Sequence, residues 1–305
     1  MELILHNNPR SMYSEKVRRV LAYKGLAWTD IEVPALPPKT DFVPLTGGYR
    51  RMPVLQVGAD VYCDSALVIR KLEKLAPEPS VFPPGSTGRD EMIADWVDHR
   101  VARWAIIAVF PEYLQKVPPA FIQDRTELIP DLAPERVRAL APHSLEQFRQ
   151  FAGFLDQVLR STTFVAGDRF SVADAACYHV VNFTRARPQV FAAVADSPRI
   201  VEWLQQVAAF PTPQVQQRPT QYPLDVARAS TPVDFGEVQP NAFGLALGDA
   251  ITVAADDYAT NPIAGELVKL TAGEVALRQR SERLGEVVIH FPRLGFRIAP
   301  AGQPG

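Results

Sequence analysis

The chain is short of cysteine, of paired histidine, of net charge and of long apolar runs, and each shortage removes a class of function. Its 305 residues include two cysteines, Cys63 and Cys177, too few for a disulfide framework or a cysteine-rich zinc site. The five histidines form no HExxH and no paired ligand spacing, so no metal site is expected. A formal net charge of −2 argues against nucleic acid as the main partner. No apolar run approaches the roughly 18–20 residues that span a bilayer; the longest, around Val101–Phe110, is interrupted by Arg103. The opening MELILHNNPR has no basic stretch followed by an apolar one, so it does not read as a secretory leader and a cytoplasmic location is expected. There is neither an internal repeat nor a low-complexity tract. What remains is a chain with 47% hydrophobic residues, enough for real cores, and a length that suggests two or three domains.

The pattern along the chain starts with a short strand over residues 2–7, which the run Asn7-Asn8-Pro9-Arg10-Ser11 breaks. Tyr13, Val17, Val20 and Leu21 then recur at helical spacing, and Gly25 supplies a stop. Trp28–Val33 reads as a second strand, parallel to the first because a helix separates them. Pro34–Gly48 reads as loop with one short helix. Pro53–Val57 and Val61–Cys63 flank Gly58-Ala59-Asp60, a hairpin signature. Asp64-Ser65 opens a helix with Val68, Leu72, Leu75 and Ala76 on one face. The order β-α-β, loop, β-β-α is that of a thioredoxin-like domain, placed at residues 1–78.

Residues 88–210 are helical in pattern, and Ser171-Val172-Ala173-Asp174 is a capping-box signature at one helix start. Six prolines between Pro211 and Pro240 suggest an extended linker over 211–240. The period then changes to two. Ala250–Ala254, Glu266–Leu270, Val275–Gln279, Glu286–Phe291 and Phe296–Ile298 alternate like strands, with Thr271-Ala272-Gly273 and Arg283-Leu284-Gly285 at turn positions. The expectation is an α/β thioredoxin-like domain, an all-α domain and a small C-terminal β-rich domain at 241–305. That β-rich unit is expected to bury its apolar face on the helical half or on a partner subunit.

Three places carry chemistry. At Asn7–Arg18 a strand gives way to a helix near Ser11 or Ser14, and a helix N-terminus stabilises an anion such as a thiolate. A serine hydroxyl there can donate to an ionised sulfur; equally, it can simply cap the helix. At Arg51-Met52-Pro53-Val54 a cis proline would turn the chain and present backbone groups to an extended peptide. At Asp64-Ser65 a helix start suits a carboxylate while Asp64 suits an ammonium, which together match an amino-acid head group.

The order SMYSEKVRRVLAYKGL, RMPVLQ, a short hairpin and DSALVIRKLE resembles the glutathione-binding domain of glutathione transferases, and GDRFSVADAACYHV is similar to the capping-box helix of their second domain. The resemblance covers roughly residues 1–210. It implies that Ser11, six residues before Val17, stands where zeta-class enzymes carry a catalytic serine and the omega class a cysteine. Ser14 is the fallback. It further implies that Met52 and Val54 around Pro53 pair with the cysteinyl backbone of glutathione, that Asp64 and Ser65 hold the γ-glutamyl head group, and that Lys39 reaches the glycyl carboxylate. Trp104, Phe110 and Tyr113 would line a cleft for a small electrophile. Glutathione is then the co-substrate, its thiolate activated for attack on that electrophile or for a glutathione-dependent reduction; no metal is needed, and the assembly is a homodimer serving detoxification. Two departures stand out: Ser-Met-Tyr replaces the usual Ser-Pro-Phe or Cys-Pro-Phe, and the zeta-class Ser-Ser-Cys triplet is missing, so maleylacetoacetate isomerisation is not implied. Without a cysteine near the active helix, mixed-disulfide chemistry is disfavoured. The alternative from another class is a glutathione-fold binding or regulatory protein with little turnover. A nucleic-acid reading of Arg278, Arg280, Arg283, Arg293 and Arg297 is weakened by Glu274, Glu282 and Glu286 alongside.

Overall fold

The computed structural model describes residues 2–302. Elements β1 (Ile4–Asn7), α1 (Met12–Tyr23), β2 (Trp28–Glu32), α2 (Val43–Thr46), β3 (Val54–Val57), β4 (Asp60–Cys63) and α3 (Ser65–Leu75) follow the expected order. Gly25 ends the first helix region at φ 65°, a left-handed conformation that costs glycine least. The β3–β4 hairpin closes over Gly58-Ala59, with Val57 opposite Asp60. Strand β1 lies parallel to β2 and antiparallel to β3. Because β3 is antiparallel to β4, β1 and β4 run the same way. Their C-terminal ends, the start of β3, and the N-termini of α1 and α3 therefore meet at one edge of the sheet.

Then come α4 (Thr87–Trp96), a π-helical turn (Val97–Val101), α5 (Ala102–Tyr113), α6 (Pro119–Leu128), α7 (Pro134–Leu159), α8 (Val172–Thr184), α9 (Pro188–Ala195) and α10 (Pro198–Ala208). The chain divides into two compact units. One holds the described residues of Met1–Ser14, Leu26–Leu72 and Pro213–Gly305, the other Glu15–Gly25 and Glu73–Thr212. Within the helical unit, Asp98 on the π-helical turn receives Lys16 and, at 2.8 Å, the His179 Nε2. Burial alone would push the Asp98 carboxyl up, but Lys16 and His179 outweigh it and hold it at about 2. The expected capping box is present at α8. The Asp174 carboxylate accepts from the Ser171 and Val165 N–H groups and from the Trp203 indole. Burial still pushes its carboxyl up to about 6. Among the described residues no helix is long and apolar enough to cross a membrane.

The last third differs most from expectation. Residues 211–240, expected as an extended linker, contain β5 (Val215–Gln217), α11 (Tyr222–Arg228) and β6 (Glu237–Val238). Strand β5 adds to β2 in parallel, and β6 adds to β8. Helix α11 is tied down because the Gln56 amide donates to the Pro223 carbonyl at 2.9 Å while its oxygen meets the His6 ring at 2.9 Å. Proline here punctuates helix starts and loop ends in an ordered segment.

All five expected strands form, as β7 (Ala250–Ala255), β8 (Ile263–Leu270), β9 (Glu274–Ser281), β10 (Gly285–Pro292) and β11 (Phe296–Pro300). They do not make a separate sheet. Strand β10 pairs in parallel with β4, Val288–His290 against Asp60–Tyr62, so one sheet of eleven strands runs β11-β7-β8-β9-β10-β4-β3-β1-β2-β5, with β6 beside β8. The apolar face expected to cover the helical half or a partner is spent within this unit. Val275, Leu277, Val287 and Ile289 share a core with Val54, Val61, Cys63 and the α11 residues Leu224 and Ala227. A 60-residue sheet has little core of its own; extending an existing sheet supplies one.

Polar groups fix this joint. The Asp60 carboxylate accepts from the Val233 and Asp234 N–H groups at 2.9 and 3.3 Å and lies 3.2 Å from the His290 Nε2. His290 Nδ1 is 2.7 Å from Glu274, and its ring stacks on Tyr62 at 4.3 Å. Lys269 bridges Asp234 at 2.5 Å and Glu274 at 3.1 Å, and Asp234 also receives the Tyr62 hydroxyl and Lys71. For Asp234 burial works upward, but Lys269 and Lys71 hold its carboxyl well below the usual range; for Glu274 burial is overcome by His290 and Lys269. A carboxylate depressed in the folded state contributes its full stability above the unfolded value and loses it as pH falls through the folded one. Asp234→Asn should therefore destabilise the protein at neutral pH by about 1–3 kcal/mol. It should also flatten the fall in melting temperature below about pH 4.5. Thermal melts by circular dichroism across pH check both; equal acid sensitivity in the two proteins would contradict the assignment.

Candidate active site

The sheet edge that gathers the ends of β1 and β4 and the start of β3 also gathers the three expected chemical segments. After β1 the loop is shaped by Asn8, whose side chain donates to the Val33 carbonyl at 3.0 Å and accepts from the Arg10 N–H at 3.0 Å. Ser11 then caps α1, its hydroxyl oxygen accepting from the Ser14 N–H at 3.2 Å. A hydroxyl that accepts one bond keeps its proton for another acceptor, and Ser11 is half-buried. Ser14 is fully buried, with its oxygen facing the Asn8 N–H at 3.4 Å. Ser11 is thus a helix cap whose own proton is left for another acceptor, while the Ser14 oxygen faces the loop.

At the start of β3 the Met52–Pro53 peptide is cis. Met52 is half-buried, and Pro53 and Val54 are buried. At the end of β4, Asp64 adopts φ 76°, a left-handed conformation that costs a non-glycine residue about 1 kcal/mol or more and that aspartate tolerates best. In return its carboxylate accepts from the Ala66 N–H at 2.8 Å and its carbonyl from the Val68 N–H at 2.9 Å, starting α3. Ser65 is buried in the first turn of that helix. Lys39 is also buried, donating to the Arg50 carbonyl at 3.1 Å with its ammonium 5.7 Å above the Phe42 ring. The structure thus brings Ser11, Met52, Pro53, Val54, Asp64 and Ser65 to one sheet edge, and places Lys39 against the segment that leads into it.

In the helical unit, Trp104 is half-buried, set edge-on to Trp96 and beside Arg100. Tyr113 stacks on Phe183 and carries the Arg187 guanidinium 4.1 Å from its ring. Phe110 is buried among Ile107, Leu132 and Val137, so of the three it is the one built into the helical core.

Two groups escaped the sequence reading. Arg51, next to Met52, forms a two-point ion pair with Asp257 and lies 3.6 Å from the Tyr258 ring centre; its place in the quoted RMPVLQ was the only available signal. Tyr49 is buried, and burial pushes its hydroxyl well up, with Asp64 adding to the effect and Arg51 opposing it. Among the described residues, one group of three metal-ligand types comes together: Asp234, Glu274 and His290, with ligand atoms within 4.8 Å of one another. The Lys269 ammonium already stands between the two carboxylates as their cation. Of the C-terminal arginines, Arg278 and Arg280 pair with Glu266 and Glu286, and Arg283 with Asp41.

Comparison with known proteins identifies relatives of both halves. Residues 5–80 match the family model for the glutathione S-transferase N-terminal domain, and residues 123–206 match the one for its C-terminal domain. A GST-like protein from Pseudomonas syringae superposes with a TM-score of 0.81 at 32% identity, over 98% of this chain and 99% of that one. The glutathione S-transferase TCHQD of Arabidopsis thaliana is 26% identical over 204 residues, 56% of this chain and 72% of its own. A glutathione S-transferase from Methylobacillus flagellatus, solved with GSH bound, shares the fold at 20% identity and a TM-score of 0.53, over 67% of this chain and 94% of that one. On the matched domains and the full-length structural relative together, the chain belongs to the glutathione S-transferase family.

Proposed function

We propose that this chain is a glutathione-dependent transferase in which Ser11 donates its hydroxyl proton in a hydrogen bond to the glutathione sulfur. The observation that carries this reading is the half-buried Ser11 hydroxyl at the N-terminus of α1, already oriented by the Ser14 N–H. The partial positive charge of that helix end and the hydroxyl both favour thiolate over thiol. The thiolate attacks an electrophilic carbon, forming a carbon–sulfur bond as the leaving group departs with its electron pair. The γ-glutamyl carboxylate suits the N-terminus of α3 with Ser65, and its ammonium suits Asp64. The cysteinyl backbone suits Met52–Val54, and Lys39 the glycyl carboxylate. The apolar side chains proposed for the electrophile are Trp104, Phe110 and Tyr113.

Turnover of chlorodinitrobenzene and peroxides after retention on glutathione-agarose separates this reading from a binding protein without activity. Ser11→Ala should raise the pKa of bound glutathione and lower kcat about tenfold or more, one hydrogen bond to an anion being worth about 1.5–3 kcal/mol. Glutathione affinity should stay within a few-fold. A larger effect from Ser14→Ala would reassign the catalytic serine. Asp64→Ala should raise the KM for glutathione far more than it lowers kcat; a normal KM with depressed turnover would remove Asp64 from the head-group site. The assembly is proposed to be a homodimer, and sedimentation velocity at micromolar concentration should show twice the chain mass.

A further inference from the structure

The segment that leads into Met52–Pro53 is gripped by the C-terminal strands at three points. Gly47, at φ 61°, is closely covered: a Cβ there would stand 2.6 Å from the Gln279 amide of β9 and 2.9 Å from Ile263 of β8, and would have to push them aside. Tyr49 packs on Phe291 of β10 and Phe296 of β11, with ring centres 5.7 and 6.3 Å apart. Arg51, its side chain 11% exposed, is held by Asp257 and covered by the Tyr258 ring at 3.6 Å. In the loop that supplies Asp257 and Tyr258, Ala259 takes φ 48°, a conformation unfavourable for alanine. Arg51 directly precedes Met52, so this grip adjoins in the chain the residues proposed for the peptide backbone.

We propose that the β7–β8 loop is a working part of the glutathione site, with Tyr258 and Asp257 acting through Arg51 as positioning residues that fix Met52–Val54 for the tripeptide backbone. This rests on the glutathione reading above. An extended peptide binds well only to a backbone already held in place, because ordering a loop on binding costs affinity. A guanidinium paired along its edge with a carboxylate and covered on a face by a tyrosine ring is a strong local hold, and it anchors the residue directly before Met52. The C-terminal strands thereby acquire a role in ground-state binding of glutathione and none in sulfur activation, which stays with Ser11 at a different strand end.

The test compares the full-length protein with Tyr258→Ala, Tyr258→Phe and Asp257→Asn. Glutathione KM and kcat are measured with chlorodinitrobenzene, glutathione Kd by calorimetry, and ligand-free amide exchange over residues 47–57 by mass spectrometry. Tyr258→Ala should raise KM and Kd for glutathione about five- to tenfold. It should leave kcat and the pKa of bound glutathione within twofold and quicken exchange over 47–57. Tyr258→Phe, which keeps the ring face, should restore both KM and exchange to near the parent values, and Asp257→Asn should fall between. Unchanged exchange in Tyr258→Ala overturns the grip itself. Quickened exchange with unchanged or lower KM and Kd overturns its role in glutathione binding while leaving the transferase reading intact. A parent protein that binds no glutathione, with exchange still quickened in Tyr258→Ala, overturns the glutathione reading and the assignment of the loop to that site together.

Discussion

The parallel pairing of β10 with β4 is the constraint on which the glutathione-side unit depends. Without it β4 would end the sheet with a row of unpaired backbone N–H and C=O groups, and the five C-terminal strands would have no core to share. The pairing is short, Val288–His290 on Asp60–Tyr62, and backbone bonds alone do not specify so short a match. Asp60, His290, Glu274, Lys269 and Asp234 supply the specificity. His290 reaches both Asp60 and Glu274, and Lys269 reaches both Asp234 and Glu274, so a one-residue slip of β10 would take the His290 ring away from two buried carboxylates, a costly loss.

That joint extends the same sheet whose strand ends carry the candidate residues. Ser11, Met52–Val54 and Asp64 sit on three neighbouring strand ends, and the backbone ladder fixes their spacing. The two strained or crowded positions nearest the site, Asp64 at φ 76° and Gly47 at φ 61°, are held by hydrogen bonds from α3 and by packing from β8 and β9. On the proposed reading, one helix N-terminus and a hydroxyl would serve the sulfur, and another helix N-terminus and a carboxylate would serve a zwitterionic head group. His6, the histidine nearest the site in sequence, is buried against Gln56 and burial pushes it down to about 4, so it stays a neutral member of the core.

The helical unit solves its own buried-charge problem by the same means. Lys16, Asp98 and His179 form one enclosed group, and Asp98 sits on the π-helical turn. The extra residue of such a turn changes which way side chains face, and here it coincides with the residue whose carboxylate must meet two partners. Asp174 at the start of α8 is the counterexample. It has several donors and no cation among them, so its burial dominates and its carboxyl is pushed up while that of Asp98 is held down.

Much of this was written in local pattern. The helical period of Tyr13, Val17, Val20 and Leu21, the Gly58 hairpin, the Ser171–Asp174 cap and the five alternating C-terminal runs each fix an element by short-range physics, and each element formed. The candidate residues were legible because Ser11, Pro53 and Asp64 stand at element boundaries that the sequence marks with serine, proline and aspartate. Proline density misled over 211–240, since proline opens helices and bounds strands as readily as it extends a linker. What the sequence could not determine is which strand lies beside which. Period-two alternation says which side chains share a face, and five strands could satisfy it in a sheet of their own or on any free edge. Only the folded chain decided that β10 takes the edge of β4, bringing Asp60 to His290 across 230 positions and Arg51 to Tyr258. Contacts of that range depend on the sum of many weak, non-local terms, and no single residue carries their address.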